Sequence, residues 1–407
     1  MHDIRVRPTL STGDGEPATQ FEPAPSHGVV ARRAANVPAG ATGVITVDLA
    51  QVRANWRALA RHVAPAECAA VVKADAYGLG AGHVIPALVD AGCRTLFVAT
   101  LDEAHSARAL APGAAIYILD GLLPRTEKDV AGLCAIPVLS CLDEAHAWAS
   151  LSGASGRSPP AALHVDTGLN RLGLHAAEVA RLAGDAALLR HLTLTLVVSH
   201  LACADEAGHP MNQEQLDTFT QLRALLPMAR SSLAASDGLM LGRAFHFDLV
   251  RPGYALYGGQ AAPQRIMPVR PVVRVSARIL QVQEVAPGSR IGYSASYRAA
   301  LPRRVATIAA GYADGVFRLA SATNDASGGA VSIRGKLAPI VGRVSMDLIT
   351  VDVTDLGDPA PVRGDWADLI APELTIESVG AAAKSIGYEV LTRLGPRFHR
   401  AYLDEGN

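Results

Sequence analysis

The sequence predicts an α/β fold, a closed (β/α)8 TIM barrel followed by a mainly β C-terminal domain. Between residues 69 and 249, short apolar runs alternate with stretches of helical periodicity, which indicates parallel β/α units joined by right-handed crossovers. Eight such units over about 200 residues match the size of a (β/α)8 barrel. After Gly258 apolar and polar residues nearly alternate, with glycine and proline between the runs, which predicts the strands of a second domain.

The first elements precede the barrel strands. Residues 42–49 form a candidate strand, and the apolar spacing from Ala50 to Val63 predicts an amphipathic helix. Apolar runs of four to six residues suit strands that are buried on both faces. The eight barrel strands are expected in the run that ends at Lys73 and at 95–99, 115–119, 136–139, 162–165, 194–199, 231–234 and 245–249.

Strands of the second domain are expected at 271–282, 305–309, 330–333 and 348–353, with one helix over 374–388. We expect the barrel domain to span 43–261 and the mainly β domain 262–407. Residues 1–42, with several Pro, Gly, Ser and Thr, are predicted to be a flexible extension, or alternatively a partner-binding one. A doubly wound sheet is the rival fold, but no Gly-x-Gly-x-x-Gly turn follows the first barrel strand.

Charge and composition exclude several classes of partner. The 407 residues carry a net charge of −1, which argues against binding to nucleic acid or to an anionic membrane surface. No run of ~18 apolar residues and no secretory h-region is visible, so we expect a cytoplasmic protein. The five cysteines have an odd count and no CxxC spacing, which predicts reduced thiols and no metal site.

Lys73 follows a short apolar run and opens a turn that is rich in small residues. Burial at the end of such a strand lowers the pKa of a lysine, so its amine can act as a base or a nucleophile. Such an amine can also bind a carbonyl cofactor covalently. A surface lysine at an ordinary strand-to-helix turn is the alternative interpretation.

Four more polar residues follow predicted strands in the same way. Functional groups of a parallel barrel project from the carboxyl ends of its strands. We therefore expect one shared site for Lys73, Arg171, His200, Ser236 and Arg251.

Seven stretches resemble, in the same order, the motifs of the alanine racemase family, whose members use pyridoxal 5'-phosphate (PLP). The resemblance extends from about residue 43 to the C-terminus. The stretches are VVKADAYGLG at 71–80, HVDTGLNRLG at 164–173, SHLACADE at 199–206, VRPGYALYG at 250–258, GYSASY at 292–297, GYADG at 311–315 and GRVSMD at 342–347.

The resemblance implies a role for each matching residue. Lys73 and Tyr293 would be the two catalytic bases, on opposite faces of the substrate Cα. Tyr293 would reach the site of the other subunit, which implies a homodimer with shared active sites. The implied cofactor-binding residues are Lys73, Tyr77, Arg171, His200, Ser236, Arg251, Gly253 and Tyr254, and the implied substrate-binding residues are Arg171, Tyr312 and Met346.

The implied reaction interconverts L-alanine and D-alanine and supplies D-alanine for peptidoglycan. A racemase of serine or of broader specificity remains open, because one methylene discriminates by only ~1–3 kcal/mol. A barrel-type PLP decarboxylase is a further alternative, although the chain has no cysteine after Cys203 for the active-site loop of those enzymes.

Three positions depart from the family pattern. His164 stands where many members carry a lysine, often carbamylated, that orients the arginine matching Arg171. We therefore expect another anion, such as chloride, to hold Arg171, and regard Asp166 as a less suitable partner. Ala235 replaces an asparagine, and Arg393 replaces a tyrosine that contacts the phosphate in some relatives.

Overall fold

The computed structural model describes residues 37–152, 158–260 and 267–404. Most of the extension predicted over 1–42 lies outside these ranges, as does the predicted boundary at 261/262. Within the described ranges, no helix is both long and apolar enough to cross a membrane.

Eight short parallel strands form the barrel. A separate strand, β1 (Gly43–Asp48), precedes them. The first barrel strand consists of two short segments, β2 (Glu67–Cys68) and β3 (Ala70–Val71). The other seven are β4 (Thr95–Val98), β5 (Ala115–Ile118), β6 (Ile136–Leu139), β7 (Pro160–His164), β8 (Thr193–Val198), β9 (Arg230–Ser232) and β10 (Leu249–Val250). Strands β3 to β9 pair in chain order, and β10 pairs with β2. The Arg251 N–H also donates to the Ala234 carbonyl at 3.0 Å, which joins β10 to the end of β9 and closes the ring.

Helices surround the strands, as the alternating pattern predicts. The first begins after Asp48, whose carboxylate accepts a hydrogen bond from the Gln51 N–H at 2.8 Å and so caps the helix. The helices are α1 (Leu49–Val63), α2 (Lys73–Tyr77), α3 (Ala81–Ala91), α4 (Leu101–Leu110), α5 (Glu127–Gly132), α6 (Leu142–Ala149), α7 (Ala176–Gly184), α8 (Ala186–His191) and α9 (Pro210–Ala224), with 3-10 turns at Asp237–Met240, Arg243–Phe245 and Tyr254–Tyr257.

The predicted barrel is confirmed, but several of its strand bounds differ, most clearly at the first and last barrel strands. The first barrel strand ends at Val71, and Lys73 already belongs to α2. The strand predicted over 245–249 is wrong, since Phe245 ends a 3-10 turn and only the last residue of the run enters β10. The run is apolar for another reason: the Phe247 ring packs edge-on against Phe219 of α9, with centroids 5.0 Å apart.

The C-terminal domain is mainly β, as predicted. Its strands are β11 (Val273–Val285), β12 (Arg290–Ile291), β13 (Tyr297–Arg298), β14 (Arg303–Ile308), β15 (Ala330–Ile333), β16 (Lys336–Pro339), β17 (Ile349–Asp352), β18 (Trp366–Ile370) and β19 (His399–Leu403), with 3-10 turns at Tyr293–Ala295, Tyr312–Asp314, Arg318–Ala320 and Thr354–Leu356. Strand β1 pairs antiparallel with β11 and parallel with β19, and all its residues are buried. The first strand of the chain is therefore part of the C-terminal sheet.

The single helix predicted over 374–388 is wrong, because the segment forms α10 (Ile376–Ala382) and α11 (Gly387–Thr392). Lys384 adopts a left-handed conformation with φ 54°, and the Ser385 N–H donates to the Gly380 carbonyl at 2.9 Å. This is the hydrogen-bond pattern that ends a helix through a left-handed residue. The break turns α11 back toward the carboxyl ends of the barrel strands, where Tyr388 meets Tyr77 and Tyr254.

Candidate active site

A cavity of about 970 Å³ opens at the carboxyl ends of the barrel strands. This is the face on which barrel proteins carry their functional groups. The cavity wall contains all eight residues that the sequence assigns to cofactor binding: Lys73, Tyr77, Arg171, His200, Ser236, Arg251, Gly253 and Tyr254. The structure thus brings together residues from five different strand-end loops.

Lys73 enters the cavity from an unusual turn. The four residues that follow it, from Ala74 to Tyr77, all have left-handed backbones with φ between 53° and 57°. A left-handed backbone costs ~1–2 kcal/mol for each residue that has a Cβ, so the surrounding contacts must maintain the turn. The Lys73 side chain lies in the cavity wall and is partly buried. Burial is the main cause that lowers the pKa of the Lys73 ammonium, and the positive charge of Arg171 lowers it further. The negative charges of Asp120 and Glu103 oppose this shift.

Ser236 and Gly253 form a small polar cradle in the same cavity. The Ser236 hydroxyl accepts hydrogen bonds from the N–H groups of Gly253 and Ala255, both at 3.1 Å. Converging backbone N–H groups and a hydroxyl at the start of a helical turn suit a phosphate. A Cβ at Gly253 would overlap the Tyr77 hydroxyl, so only glycine allows that hydroxyl to lie beside the cradle. Burial raises the pKa of Tyr77, which keeps its hydroxyl protonated as a donor.

Arg251 is a buried cation, and its acceptors within the described ranges are all neutral. Its guanidinium donates to the Ser199 carbonyl at 2.6 Å, to the Leu233 carbonyl at 3.4 Å and to the Ser232 hydroxyl. Burial lowers the pKa of Arg251 to about 10, so it remains charged at neutral pH. A buried charge without a carboxylate partner is costly in free energy, and an electron-rich ligand atom in the cavity would offset that cost.

Two histidines beside this cation are neutral. Burial is the main cause, and the charge of Arg251 the second, that lowers the pKa of His200 to about 3 and that of His164 to about 4. The His200 backbone is fixed by Gln215 of α9, whose side-chain amide donates to the His200 carbonyl at 2.9 Å. The same amide nitrogen donates to the Thr167 hydroxyl at 3.0 Å. Gln215 is fully buried, and sequence reasoning missed it because one glutamine on a helix gives no recognisable signal.

His164 therefore does not supply the negative charge that a carbamylated lysine would carry. Asp166 is committed elsewhere, since its carboxylate accepts the N–H groups of Gly168 and Asn170, both at 3.0 Å. Asp166 thus shapes the backbone of the loop that carries Arg171. The Arg171 side chain lies at the exposed edge of the cavity.

The C-terminal helix pair adds residues to the cavity that the sequence did not predict. Tyr388 of α11 donates to the Asp237 carboxylate at 3.1 Å, and Tyr254 donates to Glu377 of α10 at 2.8 Å. The only local signal is Gly387, where a Cβ would overlap the Tyr254 hydroxyl. Arg393, which stands where some relatives have a tyrosine, lies over the Phe317 ring, with its Cζ atom 5.0 Å from the ring centroid.

Tyr293, Tyr312 and Met346 lie outside the cavity wall and are exposed on the C-terminal domain, with 69% of Tyr293 accessible. Their loops adjoin one another. The Tyr312 N–H donates to the Ser345 carbonyl at 3.0 Å, and a Cβ at Gly292 would lie 3.1 Å from the Arg343 nitrogen. The three side chains therefore share one surface, which we call the tyrosine surface.

The fold and the cavity together define a class of enzyme that combines a (β/α)8 barrel with a β domain and has a lysine of lowered pKa just after the first barrel strand. Family models for the N-terminal and C-terminal domains of alanine racemase match residues 47–261 and 272–402. The chain belongs to the alanine racemase family.

Individual relatives agree with this assignment. The chain is 48% identical over 360 residues to an alanine racemase of Methylobacterium sp. (strain 4-46). The matched region covers 88% of this chain and 97% of the relative. It is 44% identical over 377 residues to that of Brucella abortus (strain 2308), covering 89% and 94%.

Solved structures give the same result. The alanine racemase from Bartonella henselae with covalently bound pyridoxal phosphate superposes with a TM-score of 0.85 at 42% identity, covering 89% of this chain and all of that one. The biosynthetic alanine racemase from Pseudomonas aeruginosa gives a TM-score of 0.82 at 34% identity, with the same coverage.

Proposed function

We propose that this chain is a PLP-dependent alanine racemase that interconverts L-alanine and D-alanine. One observation carries the proposal. A lysine with a lowered pKa shares a single cavity with a buried arginine and with a cradle of backbone N–H groups. A base, a cation and an anion cradle together suit a cofactor that has a phosphate, an aromatic nitrogen and a carbonyl carbon.

The residues present fit PLP. Arg251 cannot give up its proton at neutral pH, so it would donate to the pyridine nitrogen and keep that nitrogen unprotonated. His200 is neutral and would lie against the cofactor ring, while Arg171 would bind the phenolic oxygen and the substrate carboxylate. The phosphate would be held by Ser236, Gly253, Tyr254 and Tyr77, and Lys73 would bind the cofactor carbonyl carbon.

When bound, PLP withdraws electrons from the Cα of the attached amino acid and so acidifies its Cα–H bond. Lys73 can then take or return a proton on one face of Cα, because burial favours its neutral amine. Asp120 and Glu103 keep that amine basic enough to accept the proton. Arg171 would orient the substrate through its carboxylate and limit rotation about the Cα bond.

The second base is proposed to be Tyr293 of a partner subunit in a homodimer. Lys73 can serve only one face of Cα, and Tyr293 lies outside the wall of the cavity that holds Lys73 in the same chain. The tyrosine surface exposes two tyrosines and a methionine, and aromatic residues and methionine are enriched in interface cores. Tyr312 and Met346 of the partner would then complete the substrate pocket.

The cellular setting is also part of the proposal. We infer that the enzyme works in the cytoplasm, where the five free cysteines stay reduced, and that its D-alanine enters cell-wall peptidoglycan. The barrel domain is assigned to 43–261, with its first strand, β1, completing the sheet of the β domain, which is assigned to 262–407, and the extension to 1–42.

The experiment is a chiral assay of the purified full chain with PLP. We expect D-alanine to form from L-alanine until the two enantiomers are equal, with no release of carbon dioxide. Formation of carbon dioxide and ethylamine would establish the decarboxylase instead. Faster turnover of L-serine than of L-alanine would overturn the substrate assignment but keep the reaction.

A further inference from the structure

The left-handed turn after Lys73 is stabilised by a side chain from the next β/α unit. Glu103 lies in the first turn of α4, and one oxygen of its carboxylate accepts the Ala74 N–H at 2.7 Å. The other oxygen accepts the Ala99 N–H at 2.7 Å. Glu103 therefore links the residue that directly follows Lys73 to the end of the neighbouring strand, β4.

The turn is also held by hydrogen bonds of its own, among them the bond from the Ala81 N–H to the Asp75 carboxylate at 2.7 Å. Inside the turn, the Ala76 N–H donates to the Val72 carbonyl at 2.9 Å and the Gly78 N–H to the Ala74 carbonyl at 2.7 Å. Both bonds require the left-handed backbone that Ala74 begins. Among the described contacts of the Ala74 N–H, the Glu103 carboxylate is the acceptor, and bonds to a charged acceptor are about twice as strong as neutral ones.

We propose that Glu103 is a positioning residue that fixes the Lys73 amine in the cavity by holding the left-handed turn at Ala74. The proposal rests on the proposed function, because it treats Lys73 as the catalytic amine. Glu103 itself is absent from the cavity wall, so it acts through the backbone and through its charge.

A sequence repeat shows the same kind of link in another β/α unit. The pentapeptide LDEAH occurs twice, at 101–105 in α4 and at 142–146 in α6. Glu144 occupies the same helix position as Glu103, and its carboxylate accepts the Ser140 N–H at 2.7 Å and also the Leu122 N–H. Each glutamate thus joins its own strand end to the loop of the preceding unit. Only Glu103 reaches the loop that carries the lysine.

The charge of Glu103 has a second effect. The charged groups that act on Lys73 are Arg171, which lowers its pKa, and Asp120 and Glu103, which raise it. Loss of the Glu103 charge would lower the pKa of Lys73 further, because a nearby anion stabilises the ammonium form. A variant that keeps the charge but shortens the side chain therefore separates positioning from electrostatics.

The test compares Glu103→Gln, Glu103→Asp and Glu144→Gln in the full-length enzyme. Amide hydrogen exchange of the peptide over 72–79 reports the turn whether or not the enzyme racemises alanine. Glu103→Gln leaves one neutral side-chain oxygen for the three N–H groups, of Ala74, Ala99 and Thr100, that the carboxylate accepts, so exchange over 72–79 should become about tenfold faster or more. Glu103→Asp should act similarly, because the shorter side chain cannot reach all of these groups. Glu144→Gln should change exchange near Leu122 and leave 72–79 as in the unsubstituted chain.

Kinetics supply the second readout. We expect kcat to fall about tenfold in both Glu103 variants with KM little changed, and the acid limb of the kcat profile to move to lower pH only in Glu103→Gln. Unchanged exchange over 72–79 in both Glu103 variants, or an equal effect of Glu144→Gln there, would overturn the proposal. Absence of racemisation by the unsubstituted chain would overturn the proposed function alone, since the exchange comparison does not depend on it.

Discussion

The rings of Tyr254 and Tyr388 stack with centroids 3.9 Å apart and an interplanar angle of 16°. Tyr254 follows the Ser236–Gly253 cradle in the barrel, whereas Tyr388 belongs to the C-terminal helix pair. Each hydroxyl donates to a carboxylate on the opposite side of this junction, Tyr254 to Glu377 and Tyr388 to Asp237. The stack therefore joins the two domains directly beside the proposed phosphate site.

Tyr388→Ala is expected to weaken both stability and cofactor binding. Loss of the stacked ring should lower the free energy of unfolding by about 2 kcal/mol, because aromatic pairs add to the apolar area they bury. Tyr388→Phe keeps the ring and removes only the bond to Asp237, so it should cost about 1 kcal/mol. Urea unfolding and PLP retention after dialysis measure the two effects. An alanine variant as stable as the phenylalanine variant would contradict a structural role for the stack.

The two neutral histidines predict how stability depends on pH. Their pKa values in the folded chain, about 3 for His200 and about 4 for His164, are below the ordinary value of 6.5. The unfolded chain therefore binds more protons as the pH falls below about 6.5, and the folded state loses stability down to about pH 4. The maximal loss is about 1.4 kcal/mol per pH unit for each histidine.

His164→Gln should flatten this dependence, because glutamine takes up no proton on unfolding. The exposed His105 gives the matched control, and His105→Gln should leave the slope as it is. Urea unfolding at pH 7.5, 6, 5 and 4.5 provides the measurement. Equal slopes for the two variants would show that His164 is not held neutral.

Gly253→Ala is predicted to reduce PLP affinity about tenfold or more, since the new Cβ overlaps the Tyr77 hydroxyl and displaces either the ring or the cradle. Tyr77→Phe removes the hydroxyl, which is the closest of the overlapping atoms, and leaves Cζ at 2.9 Å, so the double variant should bind PLP better than additive losses predict. Equilibrium dialysis of the two single variants and the double variant measures the coupling. Strictly additive losses would mean that the two residues do not share one binding surface.

Much of the site could be predicted because a parallel barrel places the ends of its strands on one face. Lys73 and Arg251 are far apart in sequence, yet both follow apolar strands, and this pattern alone predicts that they meet. Tyr388 could not be found in this way, because its position depends on the left-handed Lys384, which ends α10, and no periodic pattern marks such a break.

The fold shows the same limit. The pairing of β1 with β11 and β19 joins the two ends of the chain, and local apolar spacing contains no information about such partners. The predicted strand over 245–249 failed for a related reason, since Phe245 is buried and Phe247 packs against Phe219, and neither residue belongs to a strand. Apolar residues identify burial reliably, but they identify strand pairing only where neighbouring units repeat.

Tyr293→Phe should separate the two faces of Cα. Two enantiomers have equal free energies, so net racemisation must slow equally in both directions. Deuterium exchange at Cα in heavy water is free of this constraint. We expect exchange into L-alanine to fall by two orders of magnitude or more and exchange into D-alanine, through Lys73, to fall far less. Bound PLP should keep its absorbance, and equal small losses for both enantiomers would argue against a two-base scheme.

Complementation between inactive chains tests whether each site needs two subunits. Lys73→Ala and Tyr293→Phe homodimers should both be nearly inactive, because every site lacks one base. In a mixed dimer, one site would carry both substitutions and the other would carry neither. Random association of equal amounts makes half of the dimers mixed, and half of the sites in these are intact, so activity should recover to about a quarter of the unsubstituted level. Co-expression with two affinity tags isolates the mixed species, and a mixture that stays inactive would show that Tyr293 does not act across an interface.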